Sequence, residues 1–188
     1  MRLDAPRIEP LDLDVLDDAQ KDALAPLIGT GRVLNIFRTL AHAPKALERF
    51  LQWGNYILSK RNSLSARDRE LAVLRTGFNC KSGYEWTQHV AIGREAGLTE
   101  AEIERIKQRP DADGWEARDR AIMQAVDDLT ADFFVSVGSW AALDFFTDRQ
   151  KMDLVFTVGQ YTQVSMFLNS FGVQLDPGQT LDPALKVI

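Results

Sequence analysis

The stretch that decides the fold covers residues 67–103 and reads RDRELAVLRTGFNCKSGYEWTQHVAIGREAGLTEAEI. Its helix boundaries are unusually clear. Ser65, just before it, has the hydroxyl side chain of a helix N-cap, and Gly97 is typical of the position that ends a helix. Thr99 with Glu102 has the spacing of a capping box, in which each side chain accepts a hydrogen bond from the other's backbone amide. These signals predict three consecutive helices, over residues 66–79, 83–96 and 100–108.

Apolar spacing and further start and stop signals predict helices on both sides of this stretch. Pro44 suits the first turn of one helix, where its missing amide hydrogen costs nothing. Thr147 with Gln150 forms a second capping box at the start of the long last helix. The apolar run at 133–137 is short and is followed by Gly138, so we interpret it as a connector rather than a strand. The helices predicted outside the central stretch cover residues 14–28, 34–43, 44–60, 115–130 and 147–171.

Together these segments predict an all-α protein, a bundle of about seven or eight helices in one domain over residues 1–188. Residues 1–13, with two prolines, are predicted to form an extended arm, and residues 175–188 a C-terminal tail. No tandem repeat, low-complexity tract or linker divides the sequence.

Composition argues against several classes of function. The 188 residues are 45% hydrophobic and 26% charged, which is typical of a soluble globular protein. A net charge of −5 and the lack of a Lys- or Arg-rich block argue against nucleic-acid binding. No signal peptide or membrane span is expected, so we predict a cytoplasmic protein. The one cysteine excludes an intrachain disulfide, and two separated histidines argue against a metal site.

Only two histidines, His42 and His89, are available for acid/base chemistry. Glu85 lies four residues before His89 in a predicted helix, so the two side chains share one face, and Ser82 extends the same stripe. A carboxylate beside an imidazole raises the pKa of the imidazole and orients it, as a general acid near neutral pH requires. Solvated surface pairs have the same spacing, and that alternative stays open on spacing alone.

The wider pattern resembles a known family. Residues 67–103 are similar to the core region of the carboxymuconolactone decarboxylase family, which includes alkyl hydroperoxidase-like proteins, and residues 35–47 (NIFRTLAHAPKAL) resemble the helical hairpin that precedes it. The W-x-A-L pattern at 140–143 and the long last helix resemble a longer subfamily. The resemblance implies an all-helical fold around an antiparallel helix pair. It also implies homo-oligomers (dimers, trimers or hexamers) with the pocket near a subunit contact.

The peroxidase branch of this family uses a glutamate on one helix and Cys-x-x-Cys-x-x-x-His at the start of the next. Aligning His89 with that histidine places Glu85 at the position of the peroxide-attacking cysteine and Ser82 at that of the resolving cysteine. Glu70 falls on the upstream glutamate, which takes part in the proton relay. A hydroxyl and a carboxylate cannot replace the two thiols, so the sequence departs from the peroxidase pattern.

The decarboxylase branch lacks the cysteine pair and is more similar to this chain, because it carries Glu-x-x-x-His at this place. Its type reaction removes CO2 from a carboxylated unsaturated lactone, and no metal or organic cofactor is implied. We therefore predict a cofactor-free acid/base enzyme, of the decarboxylase or isomerase type, that acts on a small carboxylated or lactone substrate. His89 is the expected proton donor, with Glu85 and Glu70 keeping it charged and oriented.

Two alternatives remain open. Cys80 could act as a lone peroxidatic thiol with an external reductant, although a free cysteine is commonly an inert buried side chain. The chain could also be a helical oligomer without catalysis. Gln160 and Tyr161 are polar residues in an apolar helix, and we predict that they line a pocket.

Other polar and aromatic residues have two interpretations each. Arg38 and Arg75 could clamp a substrate carboxylate, although solvent exposure is the default for both. Tyr84 and Trp86 are expected to pack in the core or in an interface rather than to form a substrate wall. For His42, near a helix end, we expect a packing or capping role.

Overall fold

The computed structural model describes residues 1–186, and over that range it is helical. Nine α-helices and two 3-10 helices (Leu13–Val15 and Pro183–Leu185) form it, and none of the described residues lies in a β-strand. This confirms the predicted all-α class. The α-helices are α1 (Asp18–Ile28), α2 (Asn35–Leu40), α3 (Pro44–Leu58), α4 (Ala66–Asn79), α5 (Gly83–Glu95), α6 (Glu100–Ile106), α7 (Ala117–Asp132), α8 (Val137–Ala142) and α9 (Asp148–Phe171).

The helix beyond the predicted seven or eight is α8, just after α7. Phe133 ends α7 in the left-handed conformation, with φ of 58°. Ser136 then caps α8 by accepting a hydrogen bond of 3.2 Å from the Ser139 amide. A serine at this position satisfies an amide that the first helical turn leaves free, which explains the restart. The connector predicted over 133–137 is therefore one residue too long, because Val137 already belongs to α8.

The core forms around α4, which packs against α5, α7 and α9. Its residues Leu71, Ala72, Val73 and Leu74 are all fully buried, so consecutive side chains meet neighbours in every direction. Polar side chains on such a helix need hydrogen-bond partners or opposite charges, because water does not reach them. The polar residues of α4 that bear on function are therefore buried, and their partners lie on the surrounding helices.

Helix boundaries follow the predicted caps closely. The Thr99–Glu102 and Thr147–Gln150 capping boxes both form, at the starts of α6 and α9. Ser65 caps α4 with its hydroxyl. Since capping depends on residues within one turn of each other, these boundaries could be read from local sequence.

The first helix is the clearest boundary error. It was predicted from residue 14, but α1 begins at Asp18. Asp17 and Gln20 form a capping box there. Of the apolar residues before it, Val15 lies in the separate 3-10 helix and Leu16 follows that helix.

The predicted N-terminal arm has no helix or strand over residues 1–12 and runs along the end of α9. The Arg7 amide donates to the Phe171 carbonyl oxygen at 2.8 Å. Gly172 permits this approach: its φ is +70°, and a Cβ there would lie 2.8 Å from the Ala5 carbonyl oxygen. The arm is therefore packed on the bundle.

The C-terminal segment is irregular apart from its 3-10 helix, which buries Leu185 in the core formed by α4 and its neighbours. The last two residues of the predicted tail, 175–188, lie outside the described residues. No helix within residues 1–186 is long and apolar enough to span a membrane.

Candidate active site

Helices α4 and α5 bring the three predicted acid/base residues together. Glu70 lies on α4, and Glu85 and His89 lie one turn apart on α5. The Nδ1 atom of His89 is hydrogen-bonded to Glu70 Oε2 at 2.6 Å. Its Nε2 atom is 2.9 Å from Glu85 Oε1. The imidazole is thus held between two carboxylates, one from each helix.

All three side chains are removed from solvent. The exposed fraction is 0% for Glu70, 4% for Glu85 and 5% for His89. Burial alone lowers the pKa of His89, because it disfavours the charged imidazole. The negative charge of Glu85 and the hydrogen bonds to both carboxylates outweigh this effect and raise the pKa of His89 to about 10. His89 is therefore charged at neutral pH, with a proton on each ring nitrogen.

Glu85 and His89 line a cavity of about 200 Å³ between α2, α3, α5 and α9. Its wall is mostly aliphatic and aromatic. Glu70 is not part of the wall and lies behind His89 in the interior. The lining residues are Leu34, Ile36, Phe37, Phe50, Leu51, Gly54, Asn55, Ile57, Leu58, Tyr84, Glu85, Gln88, His89, Ile92, Gln160, Tyr161 and Val164.

Helix α9 supplies Gln160 and Tyr161 to this wall. The Tyr161 ring contacts the His89 ring edge-to-face, with the ring centroids 4.9 Å apart. Burial, together with the charges of Glu85 and Glu70, raises the pKa of Tyr161 well above its usual value. The Tyr161 hydroxyl therefore keeps its proton. Helix α9 thus adds two polar groups to the apolar wall, the Tyr161 phenol next to the imidazole and the Gln160 amide.

Within the described part of the chain, no lysine or arginine lines this cavity. Arg75, considered as a clamp for a substrate carboxylate, binds Asp127 through two nitrogens at 2.6 and 2.7 Å. Arg38 donates to the Leu11 carbonyl oxygen at 2.7 Å. The default expectation of solvent exposure is wrong for both, because Arg75 is buried and Arg38 is half-buried. Both guanidinium groups have structural partners away from the cavity.

Ser82 and Cys80, the remaining candidates from the family pattern, lie away from the cavity. Ser82, at the start of α5, is fully buried, and its hydroxyl has no hydrogen-bond partner among the described residues. Cys80 ends α4 and lines a separate cleft. Burial raises the pKa of the Cys80 thiol, which lowers the thiolate fraction at neutral pH.

Sequence reasoning missed two neighbours of the trio. Tyr84 is buried, as predicted, but it also lines the cavity, and its hydroxyl donates to Asp176 at 2.6 Å. Arg69 Nε lies 3.7 Å from Glu70 Oε1, and neither atom has a hydrogen-bond partner among the described residues. The sequence feature that could have identified Arg69 as a neighbour of the trio is its position next to Glu70.

Trp86 has the packing role that was expected of it, whereas His42 neither packs in the core nor caps a helix. Trp86 is 2% exposed and packs in the core around α4. His42 is exposed, and its Nε2 atom lies 2.9 Å from the Glu9 carbonyl oxygen, where it contacts the N-terminal arm. Among residues 1–186, no group of three or more His, Cys, Asp or Glu side chains is arranged to hold a metal ion.

Residues 44–128 match the model of the Carboxymuconolactone decarboxylase family. Over this segment the chain is similar to that family. The matched segment runs from the start of α3 into α7 and contains the whole Glu70–Glu85–His89 trio. No curated protein matches the chain.

Solved structures show the same fold over most of the chain. An alkylhydroperoxidase AhpD core protein from Ralstonia eutropha JMP134, described as an uncharacterized peroxidase-related protein, is 22% identical at a TM-score of 0.74, over 90% of this chain and 93% of that one. An uncharacterized peroxidase-related protein from Silicibacter sp. TM1040 is 19% identical at 0.75, over 93% and 95%. The debrominase Bmp8 in complex with 2,3,4-tribromopyrrole is 9% identical at 0.74, over 90% and 91%. At these identities the likeness shows the fold alone, an alkyl hydroperoxidase-like bundle.

Proposed function

We propose that this protein is a cofactor-free acid/base enzyme of the carboxymuconolactone decarboxylase family, of the decarboxylase or isomerase type, for a small carboxylated or lactone substrate. The observation that carries the proposal is His89, a cation held between two carboxylates on the wall of an apolar cavity. Groups whose pKa is displaced by a specific partner, and which lie in a cleft, are concentrated at functional sites.

Glu85 is the group best placed to exchange a proton with the substrate. It lines the cavity and lies 2.9 Å from His89 Nε2, so the proton of His89 Nε2 can pass through the Glu85 carboxylate to a substrate carbon. Glu70 contacts the other ring nitrogen from outside the cavity. It acts as a positioning residue that keeps His89 charged and oriented.

Both reaction types need one group that can donate a proton to a substrate carbon or accept one from it. In decarboxylation, the C–C bond to the carboxylate breaks, its electron pair enters the conjugated ring system, and CO2 leaves. A proton from the Glu85–His89 pair then forms the new C–H bond, and solvent restores the proton to the pair. In isomerisation, the same pair removes a proton from one ring carbon and returns one to another. Neither reaction oxidises or reduces the substrate through an external partner.

The size of the cavity limits the substrate to about one ring. A cavity of roughly 150 Å³ holds a benzene molecule, and this one has about 200 Å³. A single five- or six-membered ring with a short substituent fits that volume. Substrates of two fused rings would require the wall to move.

The charge of the wall favours uncharged substrates within that range. Glu70 and Glu85 are two acidic groups that face the His89 imidazole. The Arg69 guanidinium lies 3.7 Å from Glu70, so no positive charge at the site is left without an acidic partner. The described wall offers no lysine or arginine, and burying a carboxylate without a cationic partner costs several kcal/mol. A lactone therefore suits the cavity better than its free acid, and lactone isomerisation is the first reaction to test.

A thermal-shift screen of single-ring lactones and their matching hydroxy acids, followed by turnover measured by NMR, tests the proposal. At about 100 times its Kd, a lactone adds about 2.7 kcal/mol to the free energy of unfolding, or roughly 5–10 °C in Tm for a chain of this size. Glu85→Gln should retain binding and lower turnover at least about 100-fold, because it removes the proton-exchanging group. Unchanged turnover in Glu85→Gln contradicts the role assigned to Glu85.

Gly54 offers a variant that fills the cavity. It lies on the wall, and a Cβ added there meets no atom within 4 Å. Gly54→Leu should abolish lactone binding without unfolding the protein. Gly159→Leu is the matched control, since Gly159 is an exposed position on α9 with equally open surroundings. Lactone stabilisation that survives Gly54→Leu would place the ligand outside the cavity.

The lone-thiol peroxidase has less support, because Cys80 does not line the cavity and burial raises the pKa of its thiol. Peroxide consumption that is lost in Cys80→Ser and kept in Glu85→Gln would favour it over the acid/base enzyme. A non-catalytic oligomer predicts ligand binding with no turnover in the wild type or in any variant.

A further inference from the structure

A second cleft, of about 540 Å³, lies between the N-terminal arm and the C-terminal ends of α4, α7 and α9. It shares no lining residue with the His89 cavity. More polar residues line it than line the mostly apolar His89 cavity. The polar residues that matter are Arg2, Arg7, Cys80, Thr162, Ser165 and Asn169.

Positive charge in this cleft comes from Arg2 and Arg7. Neither guanidinium has a carboxylate within ion-pair distance among the described residues, and Arg7 donates only to the Ser170 carbonyl oxygen, at 3.4 Å. No Asp or Glu lines the described wall. Two cations without counter-charges in a concave site attract anions, and guanidinium groups bind oxyanions in a bidentate geometry.

The arm that carries both arginines is held in place. The Arg7 amide donates to the Phe171 carbonyl oxygen at 2.8 Å, and Gln174 Nε2 donates to the Leu3 carbonyl oxygen at 3.2 Å. On the opposite wall, Asn169 Nδ2 donates to the Cys80 carbonyl oxygen at 2.9 Å. The backbone of the arm is therefore already in place, and binding in the cleft does not require ordering of the arm.

Ser165 gives an independent indication of a ligand. Its side chain is 1% exposed and lies on the wall of the cleft, where its hydroxyl approaches the Cys80 thiol. Its Oγ makes no hydrogen bond of ordinary geometry to any described residue. A serine inside a helix usually bonds the carbonyl four residues earlier when it lacks another partner. A buried hydroxyl left unpaired costs free energy. An anion in the cleft would supply the missing acceptor.

We propose that the Cys80 cleft is a second binding site, for a small doubly charged oxyanion such as phosphate or a dicarboxylate. Arg2 and Arg7 bind the anion from the arm, and Ser165 donates to it from α9. The Cys80 thiol lies in the wall of the occupied site, so the bound anion covers it. This site is independent of the His89 cavity and of the reaction proposed there.

Cys80 makes the proposal testable, because it is the only cysteine in the chain and its alkylation reports on this cleft alone. The rate of Cys80 carboxamidomethylation by iodoacetamide is measured at constant ionic strength, with inorganic phosphate, succinate or chloride. Phosphate or succinate should slow alkylation in a saturable manner, and chloride should not. The two titrations show which oxyanion the cleft prefers. A rate that neither phosphate nor succinate changes overturns the proposal.

Variants locate the anion. Arg2→Gln/Arg7→Gln should weaken its binding, measured by calorimetry, at least about tenfold, because two charge-assisted hydrogen bonds are lost. Ser165→Ala should weaken it by roughly two- to tenfold. Arg32→Gln, an exposed arginine outside the cleft, is the matched control and should change nothing. Wild-type affinity in the double arginine variant would overturn the assignment.

Discussion

The His89 cavity and the Cys80 cleft lie on different faces of the same helix and differ in almost every physical property. Helix α9 presents Gln160 and Tyr161 to the cavity and Thr162 and Ser165 to the cleft. The cavity is small and mostly apolar, and the ionisable pair on its wall is Glu85 and His89, with Glu70 behind the imidazole. The cleft is larger and more open, and its charged residues are two arginines. The fold thus separates the Glu70–Glu85–His89 trio from the single cysteine.

Helix geometry explains this separation. Glu70 lies on α4, and Cys80 lies ten residues later, at the end of that helix. Ten residues correspond to about 15 Å along a helix axis. In the peroxidase pattern of the family, the cysteines belong to the helix that also carries the histidine. In this chain Glu85 occupies that place beside His89, and Cys80 cannot reach it. The His89 site therefore presents acidic side chains where the peroxidase pattern has thiols, and no thiol lines its cavity among the described residues.

The largest expected effect comes from breaking the buried trio. Glu70→Ala leaves His89 with one carboxylate in a site that water does not reach, and it should lower the free energy of unfolding by about 3–5 kcal/mol. Cys80→Ala, in the more open cleft, should cost only about 1 kcal/mol. Urea denaturation of both variants measures the difference. Glu70→Gln, which keeps an acceptor for His89 Nδ1, should cost less than Glu70→Ala. Equal costs for Glu70→Ala and Cys80→Ala would remove the distinction between the two regions.

The next effect is the pH dependence of stability that His89 creates. Its pKa rises from 6.5 in the unfolded chain to about 10 in the folded one, so the folded state binds the proton more tightly. This contribution is fully present below about pH 6.5 and is lost as the pH rises to about 10. The slope is about 1.4 kcal/mol per pH unit for one proton.

Comparison of unfolding free energies at several pH values isolates this contribution. The wild type should lose stability relative to His89→Gln between pH 7 and 10. His42→Gln, at the exposed histidine, serves as the control and should follow the wild type. Parallel curves for the wild type and His89→Gln would show that the imidazole is not held as a cation.

The smallest effect is expected in the cleft. Ser165→Ala removes a buried hydroxyl that makes no hydrogen bond of ordinary geometry to any described residue, so the free energy of unfolding should change by less than about 0.5 kcal/mol or rise slightly. Thr157→Val is the contrast on the same helix, because Thr157 receives a hydrogen bond of 3.2 Å from Asn62. That variant should lose about 1–3 kcal/mol, since it leaves the buried Asn62 amide without this acceptor. A loss in Ser165→Ala as large as that in Thr157→Val would show that the Ser165 hydroxyl is already satisfied.

Much of the fold could be predicted because its signals are local. The limits of α4 and α9 agree with the predicted 66–79 and 147–171 to within one residue, since caps act within a single turn. The same locality placed Glu85 beside His89. Tyr161 could be suggested as a pocket residue because a polar side chain in an apolar helix needs a partner or a cavity.

The rest of the fold and of the site depends on contacts between residues far apart in the sequence. Local spacing does not predict such contacts. Glu70 lies 19 residues before His89, and only the family resemblance suggested that they meet. The Arg75–Asp127 pair spans 52 residues, so the burial of Arg75 was not predicted. The lack of a lysine or arginine on the described cavity wall likewise depends on four helices together, and under the proposed function it favours lactones over free acids.

Hydrogen–deuterium exchange at carbon tests the central claim most directly. A lactone that binds in the cavity is incubated in D2O with the wild type, Glu85→Gln and Cys80→Ala, and loss of its ring C–H signals is followed by NMR. The account predicts enzyme-dependent exchange in the wild type and in Cys80→Ala, and a rate at least about 100-fold lower in Glu85→Gln. A bound lactone that exchanges no faster than in buffer, or one that exchanges equally fast with Glu85→Gln, would contradict it.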